Sequence, residues 1–256
     1  MKLTIIEHQE NLLTMRIEGS NPSYCNTLRR LMMTEVPVMA IERIEFSKNN
    51  SILYDEMIAH RLGLTPLTTD LQGYNMKDVR GSEGNPSNEA TLTLRVPKVK
   101  EETVVTAGQL ESSDPKIQPV FPDMPIVKLI EGQDIELVAK AELGLGTEHM
   151  KWSPCLAYYH HYPHITITKQ PKQARAVLER YPGVFELKGD KLIVAPNGGA
   201  YLPDVDLDMD DGEAKIELKD DIVFTVESWG QLPAAAIVEH ALRRYDEQLE
   251  QFVKLL

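Results

Sequence analysis

The chain has 256 residues, of which 42% are hydrophobic and 26% are charged, and its formal net charge is −12. These values are typical of a globular protein with room for one large core or two to three small ones. The negative charge argues against phosphate-backbone binding as the main function, although it leaves room for a local basic spot.

The first 50 residues predict two strands, a helix and a third strand. Residues 3–6 and 13–17 are rich in β-prone side chains and predict a hairpin across a polar turn. A helix is predicted over residues 22–35, because proline occupies its first turn and a second proline follows its end. The next strand is predicted over residues 38–46.

The middle of the chain predicts mostly strands. A short helix is expected over residues 55–62, and the polar segment 71–88, rich in Gly, Asn and Ser, predicts a mobile loop. A second short helix is expected over residues 171–181. Strands are predicted at 90–96, 103–107, 126–130, 134–143, 164–168, 184–187, 192–194 and 222–227.

The last 24 residues form a helix with a regular apolar stripe. Its apolar side chains are spaced alternately four and three residues apart, which is the seam spacing of a helix that packs along another helix. We call this set the terminal stripe: Val238, Leu242, Tyr245, Leu249, Phe252 and Leu256. Packing on its own domain is the general expectation for such a helix.

Together these elements predict an α+β fold whose outer layer is built from both chain ends, with two insertions between them. Strands within residues 2–18, 38–46 and 222–227 are expected to form an antiparallel sheet covered by the helices at 22–35 and 234–256. Two helices on one sheet face leave their far edges uncovered, and a similar pair from another subunit would complete them.

Four motifs resemble the D-type subunit family of archaeal RNA polymerases. Residues 26–41 read NTLRRLMMTEVPVMAI, residues 55–67 read DEMIAHRLGLTPL, residues 149–154 read HMKWSP and residues 224–230 read FTVESWG. Their order and spacing fit the family and frame nearly the whole chain, although Met150 stands where a small residue is more usual. The family is the counterpart of the third eukaryotic polymerase II subunit and of the bacterial alpha subunit's amino-terminal domain.

The resemblance implies a non-catalytic assembly subunit of DNA-dependent RNA polymerase, and the cysteine usage predicts a cytoplasmic location. Residues 1–49 plus 222–256 would form a dimerisation domain, residues 50–168 a mostly β inserted domain, and residues 169–221 a small third domain derived from a ferredoxin-like insertion. The expected partners are a small L-type subunit, a small N-type subunit and the second-largest polymerase subunit. Neither sequence-specific nucleic-acid binding nor a membrane is expected.

The resemblance also implies two sets of interface residues and no catalytic residue. Arg29 and Arg30 suit a contact with the large subunit, because guanidinium groups offer planar, bidentate donors. The alternative is that both arginines only solvate their helix and that Trp152 is a core residue. The small-subunit interface is predicted at Cys25, Leu28, Met32 and the terminal stripe. The large-subunit interface is predicted at Asn26, Arg29, Arg30, Asp55, His60, Arg61, Lys151 and Trp152.

The third domain departs from several family members, which hold iron–sulfur clusters there through cysteines. Residues 169–221 contain no cysteine, and the chain has only Cys25 and Cys155, which lie on different predicted elements. Because a cubane cluster takes about four thiolates, no cluster and no other cofactor is expected. Two distant cysteines are also typical of a protein from a reducing compartment.

Two polar clusters look like metal sites, but other roles are expected for them. Aspartates alternate over residues 204–211, yet Asp211 stands where an EF-hand needs glycine, so an acidic loop with at most weak cation binding is expected. His160 and His161 are adjacent on a strand and point to opposite faces, which disfavours a metal site that both share. His164 with either of them is geometrically possible, but structural or interface roles are expected. The alternatives to the D-type subunit are a self-pairing homodimer and, with less support, a metal-binding enzyme.

Overall fold

A computed structural model describes residues 1–76, 88–202, 207 and 213–255. Over these residues the fold is mixed α and β, with more strand than helix. The helices are α1 Pro22–Thr34, α2 Asp55–Gly63, α3 Ala174–Arg180 and α4 Ala234–Lys254. The strands are β1 Lys2–His8, β2 Leu12–Glu18, β3 Val38–Asn49, β4 Glu89–Val96, β5 Thr103–Thr106, β6 Glu111–Ser112, β7 Pro125–Leu129, β8 Ile135–Gly144, β9 Cys155–Ile167, β10 Phe185–Lys188, β11 Lys191–Val194 and β12 Ala214–Ser228.

The ends of α1 and α2 follow from local chemistry. The side-chain oxygen of Asn21 accepts a hydrogen bond of 2.9 Å from the backbone N–H of Tyr24, which caps α1. Helix α2 carries Asp55 and Glu56 in its first turn and basic side chains in its last turn, the distribution that the helix dipole favours.

The first compact unit comprises residues 1–29 and 157–226. Its main sheet has the order β1-β2-β12-β9, and β1 and β2 form an antiparallel hairpin. Along β2 burial alternates, so Leu13, Met15 and Ile17 share the buried face. A smaller hairpin of β10 and β11 packs with α3 around a separate core of Val184, Phe185, Leu192 and Leu202.

The second compact unit comprises residues 30–156 and 227–256. Its main sheet has the order β3-β8-β4-β6, and β5 pairs with β7 in a separate two-stranded sheet. Helix α2 buries Ile58 and Leu62 in the same core as the inner faces of β4 and β8. No helix among the described residues combines the length and the apolar content that crossing a membrane requires.

Several sequence predictions need correction. Strand β3 does not join the sheet of the chain ends, because it pairs with β8 from Val38 opposite Gly144 to Asn49 opposite Ile135. Strand β9 begins at residue 155 and β12 at residue 214, earlier than predicted. In β12, polar and charged side chains on an exposed first stretch hid the extended conformation. The expected loop over 71–88 lies largely outside the described residues.

Candidate subunit interfaces

Helix α4 has one buried face and one exposed apolar face. Ala234, Ile237 and Ala241 are fully buried, so this face packs on the chain's own core. In the terminal stripe, Leu242, Leu249 and Phe252 are 38%, 45% and 59% exposed, whereas Val238 and Tyr245 are half-buried. Leu256 lies outside the described residues. The stripe therefore remains open to solvent along most of its length.

Two further apolar side chains extend the exposed surface at the helix end. Val253 and Leu255 are 67% and 84% exposed. Burying a Val, Leu or Phe side chain fully is worth about 1.5–3 kcal/mol, so exposing several neighbouring ones on a single helix is costly. Contiguous exposed apolar surface of this kind marks an interaction site.

An ion-pair network holds the middle of α4 against residue 35. The guanidinium group of Arg244 donates to the carboxylates of Glu247 at 3.0 Å and Glu35 at 3.3 Å. The hydrogen bond to Glu247 is the largest of several effects that raise the pKa of Arg244. This network fixes the rotation of α4, and hence the direction in which the terminal stripe faces.

Strand β1 carries exposed apolar side chains that the sequence predictions did not assign to an interface. Leu3 and Ile5 are 57% and 55% exposed, and they lie opposite the buried Ile17 and Met15 of β2. The buried face of the sheet therefore continues onto an uncovered edge strand. The alternation of apolar residues in the first strand was the signal available in the sequence.

The structure corrects the α1 part of the predicted small-subunit interface. Cys25, Leu28 and Met32 are exposed by no more than 4%, so they are core residues with no surface left for a partner. Burial raises the pKa of the Cys25 thiol, although a contact with the hydroxyl of Ser20 opposes the shift. The other small-subunit candidates that the structure describes lie on α4.

The polar face of α1 presents its two arginines differently. The side-chain oxygen of Asn26 accepts hydrogen bonds from Nε and Nη2 of Arg29, at 3.2 and 3.0 Å. Arg29 is half-buried, and Asn26 therefore orients it, whereas Arg30 is exposed. Arg30 is the side chain of this pair that a partner reaches directly.

Helix α2 exposes all three of its predicted interface residues, Asp55, His60 and Arg61. The side-chain amide of Asn49 donates to Asp55 at 2.7 Å, and Nη2 of Arg61 donates to the backbone oxygen of Pro125 at 2.6 Å. The sequence predictions did not include the exposed apolar side chains on and beside this helix. These are Ile52, Tyr54, Met57 and Leu64, between 48% and 83% exposed.

The predicted interface role of Trp152 is wrong, because this side chain belongs to the core. Trp152 is 5% exposed, and its Nε1 donates to the backbone oxygen of Glu142 at 3.3 Å. A Cβ on Gly144 would lie 2.3 Å from the indole ring, so only glycine permits this packing. Nζ of Lys151 lies 4.3 Å from the indole centroid and contacts the Glu42 carboxylate, which makes Lys151 a neighbour of the core as well.

The histidines of β9 form no metal site with the described residues around them. His164 lies 2.8 Å from the Asp221 carboxylate, while burial and then the neighbouring His161 lower the pKa of His160. Within the described ranges no three His, Cys, Asp or Glu side chains could hold a metal ion. The aspartates of the 204–211 run lie outside those ranges.

Asp221 is the centre of a polar cluster in the first unit. Burial tends to raise its pKa, but hydrogen bonds from Arg16 at 2.7 Å, the Gly19 N–H at 3.2 Å and His164 outweigh burial and lower it. The guanidinium group of Arg16 also lies 4.0 Å from the ring centroid of Tyr162. The cluster links β2, β9 and β12 and so stabilises the sheet.

The change Asp221→Asn should reduce the pH dependence of the free energy of unfolding at acid pH. Because the folded-state pKa lies below the ordinary value of about 3.9, the ionised carboxylate stabilises the fold above that pH. This contribution is lost as the pH falls through the lowered pKa. Urea unfolding at a series of pH values checks this, and parallel acid limbs for the two proteins would contradict it.

The comparisons with known proteins identify the family of the chain. Residues 43–154 match the family model of the RNA polymerase Rpb3/RpoA insert domain. DNA-directed RNA polymerase subunit Rpo3 from Pyrococcus furiosus is 33% identical, with all of this chain and 97% of the relative covered. The subunit of that name from Thermococcus kodakarensis is 31% identical, with coverage of 100% and 98%. That from Pyrobaculum islandicum is 44% identical over 65% of this chain and 64% of its own.

The relatives from Pyrococcus furiosus and Thermococcus kodakarensis match the whole chain at more than 30% identity, and this establishes the family of the chain. The chain belongs to the family of the archaeal DNA-directed RNA polymerase subunit Rpo3, the D-type subunit.

Proposed function

We propose that this protein is the platform on which a DNA-dependent RNA polymerase is assembled. As a member of the Rpo3 family the chain is a non-catalytic subunit, so the chemistry of RNA synthesis belongs to other subunits. The observation that carries the platform role is the exposed terminal stripe on a helix whose adjacent face is already packed. A cytoplasmic location is part of the proposal.

The first proposed partner is a small L-type subunit, bound through the dimerisation domain of residues 1–49 plus 222–256. Leu242, Leu249 and Phe252 supply an apolar seam with charged side chains beside it, which is the arrangement of a helix that pairs with another helix. The exposed Leu3 and Ile5 of β1 offer a second apolar area in the same proposed domain. The terminal stripe by itself suits a partner with its own amphipathic helix.

The second proposed partner is the second-largest polymerase subunit, with a small N-type subunit as the third. Arg30 and the exposed side chains of α2 support this surface, since aromatic, Met and Arg residues are enriched at interfaces. Tyr54 and Met57 provide the apolar centre, and Asp55, His60 and Arg61 provide the polar rim.

The change Arg30→Glu should weaken binding of the second-largest subunit by about tenfold or more, because it reverses the charge of an exposed interface group. Pairing with the small subunit should stay intact, since Arg30 is not part of the terminal stripe. Co-purification of both partners with the tagged variant measures the two outcomes together. Loss of both partners by a variant that keeps the wild-type Tm would contradict the separate-surface assignment.

We also propose that the small third domain of residues 169–221 folds without an iron–sulfur cluster. Cys155 and Cys25 lie on β9 and α1, and both are buried. Two thiols do not match the roughly four that a cubane needs. The apolar side chains of Val184, Phe185 and Leu192 supply the core of this domain instead.

Self-pairing through the same stripe is the second candidate function, because an exposed apolar seam also suits a symmetric homodimer. Light scattering separates the two candidates when the chain is expressed alone and together with the small L-type partner. The platform proposal expects a one-to-one heterodimer whenever the small partner is present. A symmetric dimer that persists in its presence would overturn the proposal.

A further inference from the structure

Residues 169–202, the first part of the third domain, carry a local excess of positive charge in an acidic protein, although residues 203–221 of the same domain are acidic. Residues 169–202 contain six basic and three acidic side chains, whereas the whole chain has a net charge of −12. Lys172, Arg175, Lys188 and Lys191 are all exposed. Among the described residues, no carboxylate forms an ion pair with any of these four. Cations elsewhere are often paired, as Lys116 is with Asp70 at 2.6 Å.

Lys172 and Arg175 line a cleft of about 470 Å³, and Lys188 and Lys191 flank the turn that forms its other wall. Residues 172–176 line one wall and the β10–β11 turn lines the other, with Leu187 between them. The side-chain amide of Gln170 donates to the Leu192 backbone oxygen at 3.0 Å and accepts from its N–H at 2.8 Å. These two hydrogen bonds hold the segment that precedes Lys172 against β11, so the wall is fixed before any ligand binds.

The β10–β11 hairpin places two like charges together. Lys188 lies directly opposite Lys191 across the antiparallel pair, an arrangement that destabilises a sheet. Gly189, with φ of 66°, and Asp190 form the turn between them. The fold therefore does not explain this lysine pair, but an anionic ligand would neutralise it.

We propose that this basic cleft binds the sugar–phosphate backbone of a nucleic acid without sequence preference. Lys172 and Arg175 on one wall and Lys188 and Lys191 beside the other supply the cations that phosphates require. An acidic peptide fits less well, because protein partners bind through buried apolar groups and Leu187 is the single large apolar side chain of the lining. The lining contains one carboxylate, on the turn between the two strands, and the four cations outweigh its charge.

Fluorescence anisotropy of the full chain with labelled oligouridylate of about 20 nucleotides tests this proposal. Oligothymidylate and duplex DNA distinguish single strands from duplexes, and a polyglutamate peptide represents the acidic-protein alternative. Binding of nucleic acid that weakens steeply with salt is expected. Absence of binding at low salt, or a preference for polyglutamate, would overturn the proposal.

Two charge-matched variants locate the site. Lys188→Glu with Lys191→Glu should weaken RNA binding about tenfold and reduce the slope of log affinity against log salt by about 1.4. Lys98→Glu with Lys100→Glu changes the net charge equally on exposed side chains of the other unit, and it should have a much smaller effect. Equal losses in both variants would mean that the net charge, and not this cleft, governs binding. Unchanged pairing with the small subunit and an unchanged Tm show that both variants are folded.

Discussion

Substituting Leu249→Asp should abolish pairing with the small subunit while the isolated chain keeps its stability. Leu249 lies in the middle of the exposed terminal stripe and is 45% exposed. A partner would have to bury a carboxylate there, in addition to losing an apolar contact worth about 1.5–3 kcal/mol. Since each 1.4 kcal/mol is tenfold in affinity, a loss of about 100-fold or more is expected. Size-exclusion chromatography with light scattering of the co-expressed pair measures it.

The matched control for this variant is Gln251→Asp. It adds the same charge to the same helix, but about 200° around the helix axis from Leu249, at an exposed position outside the stripe. Pairing should persist in this control, and both variants should unfold at the wild-type temperature. Normal pairing of the Leu249 variant would show that the interface has been placed on the wrong face of α4.

Substituting Trp152→Ala should have the largest effect on stability. The indole is 5% exposed, packs against Gly144 and donates to the backbone oxygen of Glu142. Truncating a buried aromatic costs about 3–5 kcal/mol, which corresponds to a decrease in Tm of roughly 6–20 °C for a chain of this size. Calorimetry of the isolated chain provides the measurement.

Trp229→Ala is the comparison for this second variant, because Trp229 is the other tryptophan of the chain and is 43% exposed. It should change Tm by only a few degrees. A Trp152 variant that instead keeps the wild-type Tm and loses only the large partner would contradict the assignment of Trp152 to the core. That result would support its predicted interface role.

The sequence predicted the elements better than their pairing. Helix α1 was expected over residues 22–35 and spans Pro22–Thr34, and α4 was expected to begin at residue 234, where it does begin. Prolines and capping residues mark such ends locally. The partner of β3 is β8, almost a hundred residues away, and the alternation of side chains along a strand does not identify its neighbour.

For the candidate interfaces, the helical spacing distinguished apolar helix faces from polar ones. It did not show which apolar faces are buried in the chain's own core and which are exposed. Leu28 and Leu249 have similar apolar spacing in the sequence, yet Leu28 is 4% exposed and Leu249 is 45% exposed. Trp152 looked like an interface residue because it lies in a charged, proline-flanked motif. Its burial depends on the close approach of the indole to Gly144 at the end of β8, and the sequence pattern does not show this approach.

A photo-crosslinker placed at position 249 of the assembled polymerase tests the central claim, that another polypeptide covers the terminal stripe. We predict a crosslink from position 249 to the small L-type subunit and none from position 251 of the same helix. A crosslink from position 249 into this chain itself, into a second copy of it, or into no protein at all would contradict that claim.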